Sequence, residues 1–242
     1  MAKQSEKVLA IIPARGGSKG LPGKNIRPFC DIPLIRHSFL CALRIPEVTD
    51  IVVSSDSEEF MSAACPDPDL WLLRPQELAQ DDTPVWAVIR HALAEREKTS
   101  SAHFDYVVLL EPTSPCRKPE WVSEALKLLI DHPHADGVHG ISLTPFNPIW
   151  NCLTESEGYL QYLVPQGRFY HRRQDVPPTY RMDGSLHIWR ARFVREREGG
   201  YHWGRHVGYK TDPRWACSID TLEEFEELER KVREGVIKLA WM

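Results

Sequence analysis

Residues 13–25 read Pro-Ala-Arg-Gly-Gly-Ser-Lys-Gly-Leu-Pro-Gly-Lys-Asn. Four glycines (Gly16, Gly17, Gly20, Gly23) alternate with three cations, Arg15, Lys19 and Lys24. Glycines let a backbone come close to a ligand and turn its amides inward, and that is how loops cradle phosphates. Arginine adds paired donors for phosphate oxygens. The spacing is neither that of a P-loop nor that of a dinucleotide fingerprint. It nevertheless points to a polyphosphate, because the loop directly follows the apolar run Val8–Pro13. Loops at the carboxyl ends of strands are where open α/β sheets bind ligands. A second candidate is Asp220, between a short apolar stretch and a Glu-rich helical pattern. It suits a metal ligand at a strand end, and equally the capping chemistry of Asp220, Thr221, Glu223 and Glu224. His132 and His134, with His139 nearby, lack acidic or cysteine partners at ligand spacing and read as a solvated loop.

The elements that must hold these groups follow from periodicity. Continuous apolar runs at Val8–Pro13, Ile51–Ser54 and Tyr106–Leu110 read as buried parallel strands, with a further strand at Gly137–Leu143. Helical spacing falls between them: Pro33–Arg44, a short helix opened by Ser57, Val85 to Leu93, and Val122 to Ile130 with Pro119 near its start. This alternation predicts a Rossmann-like, mostly parallel sheet with helices on both faces. The rhythm breaks at 144–180, which is rich in proline and aromatics and reads as an inserted β-rich arm, too apolar for disorder. It resumes with strands at Ser185–Trp189 and Ala216–Ile219 and a helix over Leu222–Val232 facing inward through Leu222, Phe225, Leu228 and Val232. The expected division is a core of 1–143 and 181–242 with the arm at 144–180.

Length and composition narrow the class further. The 242 residues suffice for a full core without disulfides or a structural metal. A formal net charge of −4 gives no global basic field, which argues against nucleic-acid and membrane-surface partners. No apolar run approaches the roughly 18 residues of a spanning helix. The polar stretch Met1–Lys7 leads straight into a strand without a secretory pattern, so a cytoplasmic protein is expected. Six scattered cysteines with no C-x-x-C pair read as reduced, mostly buried thiols.

Five blocks carry a family resemblance. Ile12–Ile26 resembles the signature loop of the acylneuraminate cytidylyltransferases, enzymes that make CMP-activated acidic sugars. Leu73–Ala79 resembles their Arg-Pro-x-Glu-Leu-Ala segment, and Leu109–Pro115 their Leu-x-Pro-Thr-Ser-Pro turn. Arg172–Pro177 with Asp183–Ser185 resembles the Arg-Gln-x-x-Pro and Asn-Gly-Ala pair, and Ser218–Glu223 the Asp-x-Asp-Thr block. The blocks span nearly the whole chain. The resemblance implies a nucleotide-diphospho-sugar-transferase-like fold and transfer of CMP from CTP to a sialic-type (nonulosonic) acid, with release of pyrophosphate and with Mg²⁺. It implies nucleotide binding by Arg15, Gly16, Gly17, Ser18, Asn25 and Arg74, catalytic roles for Arg15, Lys24 and Asp220, and metal binding by Asp220. It implies sugar contacts from Glu111, Arg173, Gln174 and Asp183, and a homodimer through the arm, with Arg172 and Arg173 acting in trans if the arm is shared.

Three residues depart from the family pattern. Glu111 stands for the usual glutamine, Asp183 for asparagine, and Ser218 for the first aspartate of the metal pair. Added carboxylates would repel an acidic sugar by a few kcal/mol at an effective dielectric near ~20. Either Glu111 or Asp183 replaces Ser218 as a metal ligand, or the acceptor differs from the usual keto acid. Two alternatives therefore stay open at this level: a nucleotidyltransferase of the same fold that uses a sugar phosphate, GTP or UTP, and a catalytically silent nucleotide-binding protein.

Overall fold

The computed structural model describes residues 6–17, 20–215 and 217–242. Ser18 and Lys19 of the glycine-rich loop lie outside the described residues, as does Ala216. Seven strands form the central sheet: β1 (Val8–Pro13), β2 (Asp50–Ser55), β3 (Trp71–Leu73), β4 (Tyr106–Leu109), β5 (Gly137–Leu143), β6 (Tyr180–Arg190) and β7 (His206–Lys210). Their order is β7-β5-β6-β4-β1-β2-β3. All neighbours pair in parallel except β6, which runs antiparallel to both β4 and β5. This is the mostly parallel α/β sheet expected from the alternation of apolar runs and helical patterns.

Helices cover both faces, which explains why β1 is apolar at every position. Val8, Ala10 and Ile12 pack on one side against α1 (Leu34–Ala42), α2 (Glu58–Ala64) and α4 (Pro119–Asp131). Leu9 and Ile11 pack on the other against α3 (Val85–Ser100) and α5 (Ala191–Glu196). A third cluster, around Phe29, Leu34, Phe225 and Leu228, seats the last helix, α6 (Leu222–Arg233), beside the glycine-rich loop. Of the four residues expected to face inward from α6, Phe225 and Leu228 are buried, Val232 is partly buried and Leu222 is 38% exposed. Thr221 caps α6: its hydroxyl accepts from the Glu224 amide, and the Glu224 carboxylate accepts from the Thr221 amide.

The structure differs from the sequence reading in three places. Residues 217–219 form no strand. Ile219 is buried because it packs in the third cluster, and its amide donates to the Thr113 carbonyl. The sheet's edge strand beside β5 is β7, which periodicity did not reveal. His132 and His134 are exposed, whereas His139 is not in a loop: it lies buried in β5, against His187 of β6, with ring nitrogens 2.7 Å apart. Between β5 and β6, residues 144–179 form a one-turn helix (Pro148–Asn151) and a hairpin pairing Leu153–Ser156 with Tyr159–Tyr162. Phe146, Tyr159, Leu160 and Phe169 are 69–75% exposed on this segment. All six cysteines are free, and four of them are buried. No helix among the described residues is long and apolar enough to cross a membrane.

Candidate active site

A cavity of about 310 Å³ opens at the carboxyl ends of β1, β3 and β4. Arg15, Lys24, Asn25, Arg74 and Glu111 line its polar wall, and Leu78, Val85 and Val88 its apolar wall. Three separate stretches of sequence, within 13–25, 74–88 and 111–113, therefore converge where parallel strands end, as open α/β sheets require of a ligand site. Apolar side chains with a few polar groups among them are the usual lining of a small-molecule pocket.

Each cation is held by a named partner. The Arg15 Nη1 donates to the Asp81 carboxylate at 2.9 Å and to the Gln80 carbonyl at 3.3 Å. Lys24 is buried, and its Nζ donates to the Ile219 carbonyl at 2.5 Å and lies 3.2 Å from the Asp220 carboxylate. This tie fastens the glycine-rich loop to the segment before α6, two stretches nearly two hundred residues apart in sequence. Arg74 leaves β3 into the cavity floor. Its Nη2 donates to the Ala14 carbonyl and lies 3.9 Å from Asp56. Burial pulls the Arg74 pKa down, Asp56 opposes the shift, and the neighbouring Arg15 adds to it. Its Nε is buried without a partner among the described residues. A buried donor left unpaired costs about 1–3 kcal/mol. Buried Asn25 places its Nδ2 3.5 Å from the Arg15 carbonyl.

Two carboxylates of different character flank Lys24: Glu111 lines the cavity, and Asp220 stands beside the lysine outside the lining. Asp220 is largely exposed, and Lys24 is its partner. Its side chain does not cap α6; Thr221 does. Glu111, just beyond β4, is half-buried, and burial pushes its carboxyl pKa up. Arg117 opposes that shift, Asp220 adds to it, and Lys24 opposes it. The Glu111 backbone is clamped: its carbonyl accepts from Arg117 Nη2 at 2.6 Å and from the Ser38 hydroxyl at 3.2 Å.

The remaining residues singled out in the sequence lie elsewhere. Asp183 is 4% exposed and turned into the sheet, where it accepts from the Ser185 amide at 3.0 Å and from the Thr211 hydroxyl. Arg173 and Gln174 are exposed on the segment between β5 and β6, outside this cavity. Arg173 lines a separate cavity of about 680 Å³ with Phe146, Trp150 and Arg181. Among the described residues, no group of three or more His, Cys, Asp and Glu side chains is arranged to hold a metal. Sequence reasoning missed Asp56, whose carboxylate receives the Gly16 amide at 3.0 Å and so holds the loop's first turn. The signal available was its place just after an apolar strand. It also missed Asp81 and Arg117, whose roles depend on tertiary partners that no local pattern encodes.

Comparison with known proteins decides the family. Residues 9–236 match the family described as Cytidylyltransferase. The chain belongs to the cytidylyltransferase family. It is 34% identical over 200 residues to a protein of Legionella pneumophila named CMP-N,N'-diacetyllegionaminic acid synthase, covering 81% of this chain and 83% of that one. It is 30% identical over 222 residues to the N-acylneuraminate cytidylyltransferase of Streptococcus agalactiae, covering 90% of this chain but 52% of the other, so it spans about half that relative's length. The fold matches a solved CMP:2-keto-3-deoxy-manno-octonic acid synthetase complexed with CTP at a TM-score of 0.71, over 95% of this chain and 100% of that one, at 16% identity. In this cytidylyltransferase residues of the glycine-rich loop, Arg74 and Glu111 line one cavity.

Proposed function

We propose that this cytidylyltransferase transfers CMP from CTP to a hydroxyl of a nonulosonic acid and releases pyrophosphate. The observation that carries the reading is the cavity itself. It pairs two ordered cations with an unpartnered buried guanidinium donor, in a chain that covers 83% of a relative named for the same reaction class. Arg15 and Lys24 serve the triphosphate, together with the amide of Gly17, while the Gly16 amide holds the loop's turn on Asp56. Arg74 and Asn25 serve the base, whose carbonyl and exocyclic amine suit a guanidinium donor and an amide. Arg15 must exchange Asp81 for phosphate, so nucleotide binding reorganises that edge of the cavity.

In the reaction the acceptor oxygen bonds to the α-phosphorus while the bond to the β-phosphate oxygen breaks. Lys24 and Arg15 neutralise charge spreading over the phosphate oxygens, the role fixed cations play in phosphoryl transfer. Mg²⁺ takes one or two carboxylates together with phosphate oxygens and waters. The exposed Asp220 carboxylate fits that demand, and Glu111 is the nearby acid available as a second ligand in place of Ser218. The ion, when bound, supplies further neutralisation of the triphosphate.

The apolar side chains exposed on the 144–180 arm support a second copy of this chain as their cover, since aromatic residues favour interface cores. In that homodimer Arg173 and Gln174 would serve the sugar carboxylate of the neighbouring subunit's site. Pyrophosphate release measured across CTP, UTP, GTP and ATP with N,N'-diacetyllegionaminic acid tests the reading. CTP alone should support turnover; preference for another nucleotide would overturn it.

A further inference from the structure

The buried Asp183 carboxylate is adjacent in sequence to Gly184, which lies close to the cavity residue Glu111, yet Asp183 itself does not line the cavity. Both of its oxygens act as acceptors, one from the Ser185 amide at 3.0 Å and the other from the Thr211 hydroxyl. Thr211 follows β7 and is tied to β5 through its own amide, 2.9 Å from the Ile141 carbonyl. Gly140 of β5 makes room for this arrangement: a Cβ there would lie 2.2 Å from the Ser185 hydroxyl and 2.9 Å from the Asp183 carboxylate.

The Ser185 peptide is gripped from two directions. Asp183 holds its N–H, and the Nε of buried Arg117 donates to its carbonyl at 2.7 Å. The same guanidinium donates to the Glu111 carbonyl at 2.6 Å and to the Ser38 hydroxyl at 2.9 Å. Between Asp183 and Ser185 the chain passes through Gly184 at φ +71°, where β6 shifts register against β5. That turn lays Gly184 against the side chain of Glu111: a Cβ on Gly184 would lie 3.7 Å from a Glu111 carboxylate oxygen and 3.4 Å from the Ser114 hydroxyl. The Ser114 hydroxyl is buried without a partner among the described residues.

We propose that Asp183 is a positioning residue: it shapes the Gly184 turn and, through Ser185 and Arg117, sets where Glu111 stands at the acceptor end of the cavity. Its role in turnover rests on the functional reading above; its hold on Glu111 does not. An aspartate suits the position because both of its partners are donors, so neither oxygen has to donate. The amide oxygen of an asparagine would keep the Ser185 bond, and the Thr211 hydroxyl would turn toward the Ile141 carbonyl, which already lies 3.3 Å away.

Three variants, Asp183→Ala, Asp183→Asn and Thr211→Val, test this with two readouts. The first is the side-chain carboxyl resonance of Glu111 in ¹³C-glutamate-labelled protein, identified by its absence in E111Q. D183A should move that resonance, T211V should move it less, and D183N should leave it near wild type. The second is steady-state turnover with CTP and N,N'-diacetyllegionaminic acid. D183A should lose about tenfold or more in kcat, the scale of a misplaced reacting group, with the KM for CTP unchanged and D183N restoring most of the loss. If D183A does not fold, T211V and D183N give the same comparison. An unmoved Glu111 resonance in D183A or T211V would overturn the proposal. So would a D183N that raises only the KM of the sugar, since that marks direct contact. A wild type that turns over no nonulosonic acid overturns the functional reading instead, and the resonance still decides the placement of Glu111.

Discussion

Replacing Lys24 with methionine removes the charge while keeping the length of the side chain. In the wild type the ammonium is buried and fixed by the Ile219 carbonyl at 2.5 Å and the Asp220 carboxylate at 3.2 Å. A unit charge about 4 Å from a phosphate oxygen interacts by about 4 kcal/mol at an effective dielectric near 20. Since each 1.4 kcal/mol is about tenfold in rate, that corresponds to nearly a thousandfold. Asp220 cancels part of the field, so K24M should lose about 10²–10³ in kcat/KM for CTP. The stability cost is smaller. An ion pair with an exposed partner contributes about 0–1 kcal/mol, and the lost bond to Ile219 adds about 1–2 kcal/mol. That lowers Tm by several degrees in a chain of this size. Continuous pyrophosphate release, with circular dichroism to confirm folding at the assay temperature, measures both. A folded K24M within about threefold of wild-type kcat/KM would refute the placement of the triphosphate.

Three further outcomes follow from the same geometry. Glu111 keeps its proton to higher pH in the folded chain than in the unfolded one, so its stabilisation is complete below about pH 4.3 and is lost as pH rises through the folded value. E111Q should therefore melt higher than wild type at pH 8 and equal to it near pH 4, and a Tm difference independent of pH would contradict this. Burial holds His187 down to about 4 and His139 further still, with Asp183 opposing the shift at His187 and the charge of His187 adding to it at His139. Both are then neutral in the folded chain and take protons on unfolding, so stability should fall from about pH 6.5 downward by up to about 1.4 kcal/mol per pH unit for each. Urea midpoints from pH 7.5 to 4.5 measure it, and a flat profile would count against the buried pair. On the arm, Leu160→Lys with Phe169→Lys should shift the sedimentation coefficient from dimer to monomer and cut turnover, and an unchanged coefficient would remove the arm as the interface.

The glycine-rich loop was legible because residue type, spacing and a preceding apolar strand all pointed the same way. The α/β layering was legible because strands buried on both faces are apolar at successive positions, as Leu9 to Ile12 are. What escaped was decided by tertiary partners. β3 and β7 are a three-residue and a five-residue edge strand, too short or too polar for periodicity to mark. Ile219 is apolar because it packs beneath α6 and not because it pairs. Glu111 and Asp183 are equivalent as departures from a family pattern, yet one faces the cavity and the other is consumed by Ser185 and Thr211. Arg173 and Gln174 sit outside the cavity of their own chain, on the segment between β5 and β6, a placement that a local sequence pattern does not encode.

The most direct measurement is ³¹P NMR of the product formed from CTP and N,N'-diacetyllegionaminic acid, with a parallel reaction offering a sugar 1-phosphate. Transfer of CMP to a sugar hydroxyl leaves one phosphorus in the product, a phosphodiester, alongside pyrophosphate. Transfer to a sugar phosphate leaves two coupled phosphorus atoms. A single phosphodiester resonance that grows only with the keto acid is the predicted result. A coupled diphosphate pair, or CTP bound but unchanged with both acceptors, would contradict the account.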